Sequence, residues 1–158
     1  MTEPDAALMR PLRGTKTMSN QAYAGDLTPS EAWERLKSDP KAVLVDVRTQ
    51  PEWMFVGVPN LEGTDRPALF VSWQVFPAMG QNPNFAQDLI AQGVKQDQTL
   101  LLLCRSGVRS VAAATLLTAQ GFSQSYNILE GFEGPLDETK HRSVKGGWKA
   151  AGLPWKQA

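Results

Sequence analysis

One cysteine stands in the chain, and it opens the run Cys104-Arg105-Ser106-Gly107-Val108-Arg109-Ser110. Leu100-Leu101-Leu102-Leu103 precedes it, and Val111-Ala112-Ala113-Ala114-Thr115-Leu116-Leu117 follows. A short run that is apolar throughout suits a strand buried on both faces, as in a parallel sheet. The alanine-rich segment is a good helix, and Gly121 stands where a C′ glycine would end it. A tight strand-to-helix loop aims backbone N–H groups and a helix N-terminus at one point, and an anion placed there is stabilised. The thiolate of Cys104 is such an anion. Arg105 and Arg109 add positive charge beside it, and Gly107 lets the backbone turn tightly. Cys104 is therefore predicted to be a thiolate nucleophile at neutral pH. Its cup is lined by the amides of Arg105, Ser106, Gly107, Val108, Arg109 and Ser110.

The spacing limits what that cup can hold. Cysteine phosphatases place five residues between nucleophile and arginine, so that a ring of amides encloses a tetrahedral phosphate. Here four residues separate Cys104 from Arg109, and Ser110 occupies the sixth position after the cysteine. A shorter loop suits a smaller guest, the terminal sulfur of a persulfide carried on Cys104. The run resembles the active-site loop of rhodaneses, the persulfide-forming sulfurtransferases, whose six-residue loop maps onto positions 104–109. The likeness extends over about residues 26–155. Asp46-Val47-Arg48 is similar to the family's Asp-Val-Arg motif, which implies that Asp46 and Arg48 brace the active-site loop. Asn127-Ile128-Leu129-Glu130-Gly131-Phe132 resembles its strand ending in Leu-x-Gly-Gly, and Gly147-Trp148-Lys149-Ala150-Ala151-Gly152-Leu153-Pro154 resembles its closing helix. One stretch departs from the pattern. After Glu52-Trp53 the family has Gly-His-Ile-Pro-Gly-Ala, and this chain has Val56-Gly57-Val58-Pro59-Asn60-Leu61.

The resemblance implies a transfer of sulfane sulfur from thiosulfate or a similar donor to a thiol or cyanide, through a persulfide on Cys104. Arg105 and Arg109 would orient the anionic donor. No metal or other cofactor is implied. The expected partners are a small-molecule sulfur donor and a thiol or thiol-protein acceptor. Two alternatives belong to other classes. One is a non-catalytic binding or regulatory module on the same fold. The other is a cysteine phosphatase or arsenate reductase, against which the loop count speaks.

The rest of the chain must position these groups. Its 158 residues suit one domain, read as residues 21–158 behind a flexible arm at residues 1–20. Sixteen basic residues balance sixteen acidic ones, which points to no nucleic-acid partner. A lone cysteine excludes an intramolecular disulfide, and a catalytic thiolate favours a reducing compartment, here expected to be the cytoplasm. No apolar run approaches the ~20 residues that span a bilayer, so no membrane partner is expected. The opening Met1-Thr2-Glu3-Pro4-Asp5 lacks the basic-then-apolar order of a signal peptide.

Ala22-Tyr23-Ala24-Gly25 reads as a short edge strand. Thr28-Pro29-Ser30-Glu31 is a capping box with proline at the first helical position, predicting a helix to Ser38 with Ala32, Trp33 and Leu36 inward. Ala42-Val43-Leu44-Val45 is a second buried strand, and it delivers Asp46 and Arg48 to the carboxyl end, where parallel α/β sheets bind ligands. Pro51 to Val56 is a short helix or turn with Trp53 and Phe55 expected in the core, and Ala68 to Val71 is a third strand. The loop from Gln74 to Gln81 leaves that strand's carboxyl end. Trp73, Phe76 and Met79 there either line the substrate pocket or plug the top of the core. Asn82-Pro83 starts a helix through Gln92, stopped by Gly93. Ser125 to Leu129 is a fifth strand. His141 lies in the polar stretch 130–145, where a solvated side chain is expected, and no second ligand supports a metal site. Gly147 to Gly152 reads as a short helix with Trp148 inward. Strands alternating with helices predict an α/β three-layer sandwich with a mainly parallel sheet, and the resemblance implies five strands with helices on both faces.

Overall fold

The computed structural model describes residues 22–64 and 66–157, so the expected arm at residues 1–20 lies outside the described residues. The first half of the chain forms β1 (Gly25–Leu27), α1 (Pro29–Ser38), β2 (Val43–Asp46), α2 (Gln50–Phe55), β3 (Val58–Pro59) and β4 (Leu69–Phe70). The second half forms β5 (Gln74–Val75), β6 (Gly80–Gln81), α3 (Phe85–Ala91), β7 (Leu100–Leu103), α4 (Val108–Ala119), β8 (Ser125–Ile128) and β9 (Trp155–Lys156).

The wholly apolar run at 100–103 becomes the middle strand of a five-stranded sheet of order β1-β8-β7-β2-β4. All four pairings are parallel, with Val43 opposite Leu100 and Asp46 opposite Leu103. Because strand side chains alternate, the same residues feed two separate cores. Val43, Val45, Leu100 and Leu102 meet Phe85 and Leu89 of α3 and Ala113, Ala114 and Leu117 of α4. Leu44, Leu101 and Leu103 face the other way, onto Ala32 and Leu36 of α1 with Phe132 and Trp148. The three layers expected from the sequence are present, and so is the parallel sheet.

Local signals set the helix ends. Thr28 Oγ1 accepts from the Glu31 N–H at 3.1 Å while the Glu31 carboxylate accepts from the Thr28 N–H at 2.8 Å, the reciprocal pair of a capping box. Gly121 follows α4 with φ +100°, a conformation that costs glycine little.

Several expectations are corrected. The edge strand begins later than Ala22, at Gly25, where it finds partners on β8. The third strand shrinks to two residues at the sheet edge. Residues 74–81 form a small antiparallel hairpin instead of an open loop. Residues 147–152 are a run of turns, because Gly147 and Gly152 take φ +97° and +76°, values a right-handed helix does not continue through. Trp148 is nevertheless fully buried, edge-on to Trp33 at 5.9 Å between ring centroids. Phe55, expected in the core, is 75 % exposed, since α2 lies at the surface and buries none of its residues completely. Trp53 is partly buried and packs edge-on against Phe70 at 5.3 Å.

Candidate active site

The middle strand ends at Leu103, and the chain turns through Gly107 at φ +112° into α4. Only a residue without a Cβ takes that conformation cheaply, and it brings a backbone N–H back over the cysteine. Cys104 is 1 % exposed and forms the floor of a cleft of about 600 Å³. The Gly107 N–H donates to its Sγ at 3.1 Å, and Ser110 Oγ stands 3.2 Å from the same sulfur. The first amides of α4 have no partners within the helix and point toward this end, so the turn is electropositive. Around the mouth stand Glu52 from α2, Gln74 and Met79 from the hairpin, Arg105 and Ser106 from the loop, and Glu133 from the far wall.

The two arginines of the loop differ in their situation. Arg109 is held by α2: its Nη1 and Nη2 donate to Glu52 Oε1 and Oε2 at 2.9 and 3.0 Å. Glu52 is fixed in turn by the Thr49 N–H and hydroxyl at 3.1 and 2.9 Å. Burial pushes the Glu52 carboxyl up, but Arg109 and then Thr49 outweigh it and hold the group below the ordinary carboxylate range. Burial likewise works against the Arg109 charge, and Glu52, Cys104 and Asp46 overcome it. The stability drawn from Glu52 is thus present above its ordinary titration range, ~4.3, and is lost as the pH falls through the lowered value. Arg109 was expected to orient a donor anion, yet its fork is occupied by this carboxylate. Arg105 is exposed and has no ion-pair partner among the described residues.

Asp46 and Arg48 leave the carboxyl end of β2 as a fully buried pair. Arg48 Nε donates to Asp46 Oδ1 at 2.9 Å, and its Nη2 donates to Oδ2 at 2.6 Å and to the Gly57 carbonyl at 2.8 Å. The guanidinium lies 4.2 Å from the centroid of the Phe132 ring, and the Phe132 N–H donates to the Cys104 carbonyl at 2.7 Å. The pair therefore reaches the loop through Phe132.

Residues 131–134 carry out bracing that sequence reasoning did not assign to them. The N–H groups of Glu133 and Gly134 donate to the Arg105 carbonyl at 2.9 and 3.2 Å. Gly131 passes so close that a Cβ there would lie 2.3 Å from the Cys104 oxygen. The glycine in Glu130-Gly131-Phe132 was the available signal. Of the three candidate lining residues, only Met79 faces the cleft. Trp73 turns inward, edge-on to Phe85 at 5.2 Å, which is the core-plugging alternative, and Phe76 is exposed on the hairpin. Among the described residues no three His, Cys, Asp or Glu side chains gather where a metal ion could be held, and no helix is long and apolar enough to cross a membrane. His141 is exposed, with Nδ1 2.7 Å from Thr139 Oγ1.

With this geometry in place, comparison with known proteins decides the family. The family model of the STR4 middle domain matches residues 25–158. The chain belongs to the STR4 middle-domain family. This STR4 middle-domain protein is 36% identical over 131 residues to the uncharacterized protein RC0915 of Rickettsia conorii, covering 82% of the chain and 95% of that protein. The crystal structure of Rv0390 from M. tuberculosis superposes on it with a TM-score of 0.77 and 46% identity, over 86% of this chain and 99% of that one. The thiosulfate sulfurtransferase GlpE of Actinobacillus succinogenes is 24% identical over 133 residues, 84% of this chain and 91% of that protein. Solved rhodanese-like and sulfur-transferase structures share the architecture, so the STR4 middle-domain fold here is the rhodanese-like α/β fold.

Proposed function

We propose that the protein is a rhodanese-type sulfurtransferase in which Cys104 carries a persulfide from a thiosulfate-class donor to a thiol acceptor. The observation that carries this reading is the Cys104 sulfur itself, on the floor of an open cleft and receiving the Gly107 N–H at 3.1 Å at the head of α4. The name of the Actinobacillus relative supports it. In the first half-reaction the Cys104 thiolate attacks the outer sulfur of thiosulfate. A bond forms between the two sulfurs, the old sulfur–sulfur bond breaks, and its electron pair leaves with sulfite. The persulfide anion is stabilised by oriented N–H groups of the loop and of the first turn of α4. In the second half-reaction an acceptor thiolate, or cyanide, attacks the outer sulfur. The electron pair returns to Sγ and restores the Cys104 thiolate. Arg105 serves as the accessible cation, and a reducing compartment, the cytoplasm, keeps the nucleophile free.

The test is the intact mass of the protein after incubation with thiosulfate, with Cys104→Ser alongside. The expected result is a gain of one sulfur atom in the wild type, reversed by reductant and absent from the variant. No sulfur gain with any donor overturns the proposal.

The ion pair across the cleft adds a second expectation. Glu52→Gln releases Arg109, which is then free to bind an anionic donor. One additional charge-assisted hydrogen bond, ~1.5 kcal/mol, lowers the KM for thiosulfate about tenfold. Steady-state kinetics check this, and a KM equal to that of the wild type would show that Arg109 does not reach the donor.

A further inference from the structure

A line of hydrogen bonds leaves the Cys104 sulfur on the side away from the cleft. Ser110 and Asn127, both buried, come first: the Ser110 hydroxyl bonds to Asn127 Oδ1, and Ser110 Oγ is 3.2 Å from Sγ. Asn127 Nδ2 then donates to Asp26 Oδ1 at 3.0 Å, and the Tyr23 hydroxyl donates to the same oxygen at 2.9 Å. The line runs from α4 across β8 to the edge strand β1, and its far end is exposed.

The direction of each bond follows from what each group can do. An ionised carboxylate only accepts. Tyr23 keeps its proton, because burial and then Asp26 push its titration up to about 12. Asn127 must therefore turn its NH2 toward Asp26, which leaves its oxygen facing Ser110. Two oxygens meet there, so the single hydroxyl proton of Ser110 goes to Asn127. What Ser110 presents to the sulfur is a lone pair.

We propose that Asp26 and Asn127 are positioning residues that hold Ser110 as an acceptor toward Cys104 and so withhold one hydrogen-bond donor from the sulfur. The Cys104 thiolate is then less stabilised than a cup lined wholly by donors would make it. A further consequence rests on the proposed sulfur transfer. A thiolate with fewer donors is a poorer leaving group, so the persulfide persists until a suitable acceptor is seated. The other charges around the sulfur stay as they are when position 26 changes. They are Arg105 and Arg109 from the loop and α4, Glu52 from α2, Glu133 from the far wall, and the Asp46–Arg48 pair from β2.

Asp26→Lys puts an obligate donor where an obligate acceptor stands. The Asn127 amide reverses, its NH2 turns to Ser110 Oγ, and the Ser110 proton is released to the sulfur. Iodoacetamide alkylation of Cys104 followed across pH, read by intact mass, gives the outcome as the midpoint of the pH–rate profile. Asp26→Lys is expected to move that midpoint down by about one pH unit, the worth of one charge-assisted hydrogen bond. Asn127→Ala moves it in the same direction, and Asp26→Glu, still an obligate acceptor, keeps the wild-type midpoint. In a Ser110→Ala background the effect of Asp26→Lys disappears. An unmoved midpoint in Asp26→Lys overturns the proposal, and so does a downward shift of equal size without the Ser110 hydroxyl, which would be the added charge acting at long range. Asp26 is exposed, so its variants decide the matter even if Asn127→Ala does not fold. Alkylation does not depend on sulfur transfer. A midpoint lowered as expected in a protein that never gains sulfur supports the Ser110 orientation and overturns the sulfurtransferase reading instead.

Discussion

Asp46→Ala is expected to destabilise the domain by about 3–5 kcal/mol, the cost of leaving a buried charge without its partner. Both members of the pair are inaccessible to solvent. Removing the carboxylate strips Arg48 of the acceptors for Nε and for one of the two bonds of Nη2, while Nη1 already lacks any partner. What remains is the Gly57 carbonyl and the face of Phe132, which cannot replace the lost hydration of a guanidinium. A domain of this size has roughly 5–15 kcal/mol in total, so the loss is a large share of it. Urea unfolding measures it directly. Combining Asp46→Ala with Arg48→Met recovers much of the loss, since an apolar pair avoids burying a lone charge. A cost below about 1 kcal/mol for Asp46→Ala would mean that water reaches Arg48.

Gly131→Ala is the second large effect, and it falls on the Cys104 loop. At φ +62° any L residue costs roughly 1–2 kcal/mol. The space is also taken, since a Cβ would lie 2.3 Å from the Cys104 carbonyl oxygen and 2.6 Å from the Arg105 carbonyl carbon. Both are backbone atoms and cannot rotate aside. The variant must push the loop away from residues 131–134, breaking the bonds to the Cys104 and Arg105 carbonyls and moving Sγ from the Gly107 N–H. Stability is expected to fall by about 3 kcal/mol and the alkylation rate of Cys104 to change at least severalfold. Gly93→Ala is the control. Its φ is +96° but nothing lies within 4 Å of the new Cβ, so only backbone strain of about 1 kcal/mol is expected. Equal costs at the two positions would remove the contact with the loop from the explanation.

Parts of this molecule were legible in the sequence because their causes are local. The capping bonds of α1 join residues three apart, and the glycine beyond α4 acts on the helix it follows. The middle strand was legible because four leucines in succession leave no polar face. The cysteine loop could be read for the same reason, since the Gly107 N–H and Ser110 Oγ that meet the sulfur lie within the six residues after Cys104. Features made by distant partners could not. β3 and β9 have two residues each and exist only because Val58 meets Lys156 and Pro59 meets Trp155. Asp26 reaches Asn127 across 101 residues, and neither type announces a role on its own. The occupation of Arg109 by Glu52 spans 57 residues, and that contact ties up one of the cations lining the cleft. Residues 147–152 resemble a closing helix in sequence, and the positive φ of Gly147 and Gly152 makes them turns instead.

The strand order has a consequence for biosynthesis. β1 is made before every other strand of the sheet, and its partner β8 comes about a hundred residues later. At ~5–20 residues per second that interval is about 5–20 s on the ribosome. Within that time β2, buried along its whole length in the finished sheet, waits 57 residues, from Val43 to Leu100, for the leucines of β7. The nascent chain therefore carries an apolar strand without its central partner over that interval, and the sheet closes late and from the middle outward. Shielding of that segment by a chaperone, or a pause in translation beyond residue 128, would govern the yield of folded protein.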